Sequence, residues 1–453
     1  MGVTAAGEAV AQPGVGLFPR LLRSAAWSIG GNVAGAAASF LTQLLLARTL
    51  AATRYGVYSY VLAWVNFAVL LSKLEFDSAA LRYVAGYEGT RRDGLLAGFV
   101  RYGWRVVGWA ALSIALVGGG AAWLWRAHLP AGIADTILAA MVLMPVTALL
   151  AYSSSILQAL RRVPQAQLPP VVLRPVLFGG AILVTVSVFN LQLGAGGAVA
   201  LNAAATLIAF ALSLFLLANA LPAAVKDAAP LFEPKVWLST VRGLMIIALG
   251  QLVLSYQTDV LVVGTLLGAR EAGLYSAASQ LTGMLALAGN GVSFVVFPFI
   301  SQLSARGSRA DLQRLVVRTV QGSMAVTIPA AIVLCAAGPL VLHWYGPSFA
   351  GATPVLFLLT AGWVTGLTVG GLASFLLIAN GHERIASRVA IFIAVFNLTL
   401  SLILTPLFGL VGAAVATMAA AWVRTGLLYW HASRTLQISV VPFLPRERTA
   451  ARA

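Results

Sequence analysis

Lys73, Glu75 and Asp77 stand at alternate positions of one apolar stretch. A charge at membrane depth costs about 2.5–3.5 kcal/mol even on insertion scales, so such residues pair with one another or face a wet cavity. Lys73 and Asp77 lie one helical turn apart and can pair on a single face. Two chemistries fit: mutual neutralisation as a packing device, or a compact cation for an anionic group, tuned by Asp77 or Glu75. Asp259 is a second case. It sits among Gln257, Thr258 and an apolar run, with no basic residue one turn away. A carboxylate there is protonated, bound to a cation, or hydrogen-bonded to another helix. Asn397 and Thr399 supply oxygens that could complete a site for a hard cation such as Na⁺. Arg82, Arg101, Arg105, Arg174 and Arg242 fall at the cytoplasmic ends of apolar runs. Their guanidinium forks match phosphate oxygens and could form the mouth for an anionic headgroup. Snorkelling toward lipid headgroups explains the same positions.

Other chemistries find no support. His128, His343, His382 and His431 fall near span ends without metal spacing, so no metal site is expected. No Gly-Lys-Ser/Thr phosphate loop occurs, which argues against an ATP-driven pump. Cys335 is the single cysteine, so no intramolecular disulfide can form. Asn397-Leu398-Thr399 matches a glycosylation acceptor but lies inside an apolar run. No cofactor is expected, with Na⁺ or H⁺ only as a coupling ion.

The elements that must position these residues are membrane helices. Hydrophobic residues make up 60% of the 453 and charged residues 9%, with a mean hydropathy of +0.91. A soluble domain carries roughly a quarter charged residues, so no soluble domain of any size is expected. The net charge of +16 does not indicate nucleic acid, because the basic residues sit in short clusters between apolar runs. Twelve apolar spans are expected, at about 24–48, 56–83, 103–125, 134–158, 170–190, 198–221, 243–267, 273–300, 319–345, 352–379, 387–406 and 410–431. With the N-terminus inside, only Arg48, Arg54, Arg126 and Arg270 fall outside, Lys73 being set aside. The positive-inside bias then places both termini in the cytoplasm. Arg20 and Arg23 precede a run too long for a signal-peptide core, so the first span should be an uncleaved anchor.

An internal repeat organises the spans. Gly56-Val57-Tyr58-Ser59 opens the second and Gly273-Leu274-Tyr275-Ser276 the eighth, 217 positions later. Gly194-Ala195-Gly196-Gly197-Ala198-Val199 matches Gly409-Leu410-Val411-Gly412-Ala413-Ala414, 215 positions apart. The plan is a tail (1–23), a six-helix bundle (24–221), a cytoplasmic linker (222–242), a second six-helix bundle (243–431) and a tail (432–453). Two bundles facing each other about an axis normal to the membrane make a transporter plan. The repeat further predicts that span two runs unbroken from Gly56 to about Tyr83, with Lys73 opposite Asn290 of the Gly289-Asn290-Gly291 interruption. Pro145, Pro175, Pro298, Pro329, Pro354, Gly289 and Gly291 recur inside spans, where helix packing or gating bends accommodate them.

Three stretches carry a family resemblance: Arg48-Thr49-Leu50…Tyr55-Gly56-Val57-Tyr58-Ser59; Asp259 to Gly264 with Gly273 to Ala278; and Leu377 to His382 with Phe408 to Ala414. From about Arg23 to Arg434 the chain resembles the Wzx-type polysaccharide flippases. Their superfamily also holds multidrug and toxin extrusion transporters and lipid II flippases. The resemblance implies an all-α, V-shaped pair of six-helix bundles with a central cavity and alternating access. It implies a substrate that is an oligosaccharide on a polyprenyl diphosphate, turned to the outer leaflet of a bacterial inner membrane. It also implies basic residues on the helix of Lys73, an ion site at Asp259 with span eleven, and a monomer working beside polysaccharide assembly proteins.

Two rival functions are weighed against this one. A cation-coupled drug exporter of the same superfamily suits a cavity that is basic on balance less well than an anionic substrate does. A membrane polymerase or ligase needs catalytic residues on long outside loops, and every outside loop expected here is short. Without ATP, the membrane potential favours outward movement of a diphosphate, at roughly 2.3 kcal/mol per charge per 100 mV.

Overall fold

Backbone polar groups have no water to bond in a bilayer core, so an apolar chain of this kind satisfies them within helices. The computed structural model describes residues 17–128, 132–253, 256–286, 296, 300, 303 and 308–436, with helix throughout and no strand among the described residues. Among them, eight helices are long and apolar enough to cross a membrane. Two of these hold two expected spans each. Helix α1 (Leu17–Lys73) is broken at Ala51 (φ 56°, ψ 172°), between spans one and two. The last helix (Glu383–Leu436) is broken at Gly409 (φ 60°, ψ −143°), between spans eleven and twelve. Expected spans seven and eight pass through residues outside the described set, as do Gly289, Asn290, Gly291 and Pro298. The protein is a multi-pass α-helical membrane protein.

Hydroxyl side chains inside the apolar helices are kept satisfied locally. Thr147, Thr206 and Thr360 each donate to the carbonyl one turn back, at 2.8, 2.7 and 2.7 Å. Long-range polar contacts then set helix pairs. Ser153 and Ser213 share a buried hydrogen bond of 2.7 Å between the helices Ile133–Ala159 and Ala195–Ala220. Large apolar side chains such as Trp109, Leu116, Phe215, Val333 and Phe408 are exposed, as a lipid-facing surface requires.

The two halves cross where the repeat begins. A Cβ built on Gly56 would lie 1.6 Å from the Ala269 carbonyl oxygen, and one on Gly273 would lie 2.5 Å from the Ala52 carbonyl oxygen. Residues 52 and 56 thus meet 269 and 273, their repeat equivalents, in a symmetric crossing that only glycine permits. Beside it, Tyr60 and Thr265 share a hydrogen bond of 3.1 Å. The linker is also packed: Leu231 donates its backbone N–H to the Gly94 carbonyl at 2.9 Å, and buried Trp237 donates Nε1–H to the Tyr87 hydroxyl at 3.0 Å.

Arg126, Arg162, Lys226 and Arg270 are exposed, which makes the topology measurable. In a Cys335→Ala background, Arg126→Cys and Arg270→Cys should react with an impermeant maleimide in intact cells. Arg162→Cys and Lys226→Cys should react only after permeabilisation. Reaction of Arg162→Cys or Lys226→Cys in intact cells would break the six-plus-six scheme.

Candidate functional site

The C-terminal half buries a carboxylate. Asp259, on the helix Tyr256–Leu266, is 2% exposed. Tyr275 donates to its Oδ2 at 3.1 Å, Thr417 to the same oxygen at 3.0 Å, and Asn397 Nδ2 to Oδ1 at 3.2 Å. These partners come from three further expected spans, eight, twelve and eleven. Asn397 Oδ1 is buried with no partner among the described residues. The set is a carboxylate, a phenol, a hydroxyl and a free amide oxygen, a hard-oxygen array suited to a small cation. Among the described residues no group of three or more His, Cys, Asp or Glu comes together.

The array opens on a cavity of about 330 Å³. Trp363, Phe375, Leu359 and Met418 line its apolar walls, and Arg424 stands at its rim. A π-helical segment, Gly366–Gly370, interrupts the wall helix, a feature frequent at functional sites. Sequence reasoning missed Tyr275, Thr417 and Arg424. Tyr275 had a signal, since it is the tyrosine of the repeated Gly-x-Tyr-Ser motif. Thr399 does not join the site. It is exposed, because two positions along a helix from Asn397 is a turn of about 200°.

The N-terminal half holds a basic counterpart. Arg174 donates Nε–H and Nη2–H to Asn202 Oδ1 at 3.3 and 3.2 Å, and Asn202 Nδ2 donates to the Tyr58 hydroxyl at 3.1 Å. A cavity of about 200 Å³ opens beside them. The expectation of Arg174 at a helix end is corrected. The span begins at Val163, with Pro164 in its first turn, rather than near 170. Pro169 and Pro170 are absorbed into a π-helical segment, Leu168–Leu173. Arg174 therefore sits roughly 16 Å into the span at 1.5 Å per residue. By contrast, Arg82, Arg101, Arg105 and Arg242 are exposed.

The Lys73 cluster lies at a break, which corrects the expectation of an unbroken span two. Helix α1 ends at Lys73 and α2 (Phe76–Gly89) follows. Between them Leu74 (φ 49°) and Glu75 (φ 61°) take left-handed backbone conformations, at roughly 1–3 kcal/mol each. Lys73 Nζ lies 2.6 Å from Asp77 Oδ2 and 3.2 Å from Glu75 Oε1, and Ser78 donates to Glu75 Oε2 at 2.5 Å. Phe76, fully buried, anchors the far side against Phe99 and Tyr102. One ammonium bridges two carboxylates, so the cluster is net negative and acts as an ionic clasp over the break. Lys73→Ala should therefore lower thermal stability, by up to about 3–5 kcal/mol for a fully buried pair. Adding Glu75→Gln and Asp77→Asn should restore stability and transport together. Stability returning while transport stays lost would instead make Lys73 a substrate contact.

Residues 21–304 match the family described as polysaccharide biosynthesis protein. A protein described as the probable low-salt glycan biosynthesis flippase Agl15 of Haloferax volcanii is 31% identical over 170 residues, 37% of this chain and 36% of that protein. The chain thus matches about a third of this relative's length. A second Haloferax volcanii protein, the probable flippase AglR, is 25% identical over 35% of this chain and 34% of its own length. Among solved structures, an inward-facing multidrug resistance MATE family transporter superposes with a TM-score of 0.69 at 15% identity, covering 88% of this chain and 95% of its own. The lipid II flippase MurJ, in an inward closed conformation, gives 0.66 at 16% identity, covering 90% and 87%. These two likenesses show the fold.

Proposed function

Because the chain belongs to the polysaccharide biosynthesis protein family, we propose that it is a flippase for a lipid-linked oligosaccharide. The substrate is an oligosaccharide on a polyprenyl diphosphate, turned from the cytoplasmic to the outer leaflet of a bacterial inner membrane. Both termini lie in the cytoplasm on this reading. The likeness to the probable flippases Agl15 and AglR, and to the lipid II flippase MurJ, supports it.

The observation that carries the reading is the Asp259 site opening on an inter-helix cavity, in a molecule whose halves meet at a glycine crossing. The crossing is a pivot on which one half can rock against the other. Asp259, with Asn397, Tyr275 and Thr417, takes the coupling cation, Na⁺ or H⁺, and its occupancy biases the two arrangements. A ligand shifts such an equilibrium only through differential affinity for its two states. Four expected spans meeting at one carboxylate can supply that difference, since any rocking of the helices changes the site. The exposed arginines Arg82, Arg101, Arg105 and Arg242 attract the anionic headgroup to the cytoplasmic mouth. The role is transport, not catalysis, with the bilayer and polysaccharide assembly proteins as its setting.

A drug exporter of the same fold would move cations. Against it, neither Arg174 nor Arg424 forms an ion pair among the described residues, which suits an anionic cargo. Deleting the gene from its host should leave lipid-linked oligosaccharide trapped at the cytoplasmic leaflet and abolish the surface polysaccharide. Intact polysaccharide with new drug sensitivity would overturn the reading in favour of export.

A further inference from the structure

The two polar sites occupy equivalent places in the two repeats. Tyr58 and Tyr275 are 217 positions apart, Asn202 and Thr417 are 215 apart, and Gln43 and Asp259 are 216 apart. The first two offsets are those of the repeat landmarks, and the third falls between them. In the C-terminal half, Asp259, Tyr275 and Thr417 are joined by Asn397 from span eleven. In the N-terminal half, Gln43, Tyr58 and Asn202 are joined by Arg174 from span five, span eleven's counterpart. The architecture is kept and the charge is inverted. An amide stands where the acid was, and a guanidinium arrives from the helix that supplied an amide.

The free hydrogen-bonding capacity of the N-terminal site is that of an anion receptor. Asn202 Oδ1 fixes the guanidinium plane through Nε and Nη2. Both Nη1 hydrogens and the second Nη2 hydrogen are left for a ligand. Tyr58 accepts from Asn202 and is also hydrogen-bonded to Gln43, which holds the phenol at the edge of the pocket beside Arg174. Thr42 is not a competitor, since its hydroxyl donates to the Pro175 carbonyl at 2.9 Å. No carboxylate pairs with Arg174 among the described residues. The π-helical segment before Arg174 sets the register that turns it onto Asn202.

We propose that the pocket of Arg174, Asn202, Tyr58 and Gln43 is an oxyanion subsite for a phosphate or diphosphate group, the charge-inverted repeat counterpart of the Asp259 site. Its cavity of about 200 Å³ is below the range of pockets for drug-sized ligands, so it takes the headgroup and not the sugars. The source of the phosphate, as the carrier lipid's diphosphate, rests on the flippase reading above. A free phosphate species has the same chemistry.

The test uses the full chain in nanodiscs, titrated with inorganic phosphate, inorganic pyrophosphate or a short-chain polyprenyl diphosphate. Wild type should be thermally stabilised by pyrophosphate and by the polyprenyl diphosphate. Arg174→Gln should weaken both by at least about tenfold, the lower end for a charge-assisted contact. Asn202→Asp, which sets a carboxylate on the guanidinium, should do the same and decides the matter if Arg174→Gln does not fold. Unliganded melting midpoints and size-exclusion profiles report folding. Binding that neither variant weakens overturns the subsite and leaves the flippase reading standing. A wild type that binds none of the three ligands also overturns it. Arg174-dependent binding of free phosphate or pyrophosphate without the polyprenyl diphosphate keeps the subsite and sinks the lipid carrier.

Discussion

Gly56→Ala should cost the protein its folded, monodisperse state, while Gly108→Ala should pass unnoticed. The added Cβ at Gly56 would sit 1.6 Å from the Ala269 carbonyl oxygen and 2.6 Å from its carbon, both backbone atoms of the facing helix. No side-chain rotation relieves that overlap, so the helices must separate. At Gly108 nothing lies within 4 Å. Inserting one methyl into a packed interior usually costs about 1–3 kcal/mol, and a clash with backbone belongs at or beyond the top of that range. Gly273→Ala should behave likewise, its Cβ meeting the Ala52 carbonyl oxygen at 2.5 Å. Melting midpoints of the three variants in one detergent make the comparison. Equal midpoints would mean that the halves do not cross here.

Asp259→Asn should remove the cation dependence of transport. The change keeps shape but removes the one charge that Tyr275, Thr417 and Asn397 converge on. A charge-assisted contact is worth about 1.5–3 kcal/mol, or roughly ten- to a hundredfold in cation affinity. Tyr275→Phe and Thr417→Val each remove one oxygen and should give smaller losses of the same kind. A variant that is inserted and folded yet keeps the wild-type response to Na⁺ and pH would make the carboxylate purely structural.

Much of this was readable in the residues. The helical class follows from an apolar excess that no soluble surface could carry. The repeated Gly-x-Tyr-Ser motif announced two halves, and the structure explains two of its three shared letters. The glycine makes the crossing, and the tyrosine enters the polar site. Asp259 and Asn397 met as expected, because an unpaired acid and an amide inside apolar helices have few other places to go. The break after Lys73 was not readable. No glycine or proline marks it, and Leu74 and Glu75 take left-handed backbone there, beside the two carboxylates that Lys73 bridges. Arg174 was misplaced for a different reason. Pro169-Pro170 reads as a helix start, but a π-helical turn accommodates both prolines and carries the helix back to Val163.

Leaflet exchange in vesicles tests the flippase activity most directly. The purified protein would be reconstituted with an oligosaccharide on a fluorescent polyprenyl diphosphate, placed in one leaflet. A membrane-impermeant glycosidase outside would read the fraction exposed over time. Wild-type vesicles should expose the inner pool far faster than empty vesicles, and Asp259→Asn should abolish the effect of a Na⁺ or H⁺ gradient. Folded wild-type protein giving the rate of empty vesicles under every gradient would contradict the flippase reading.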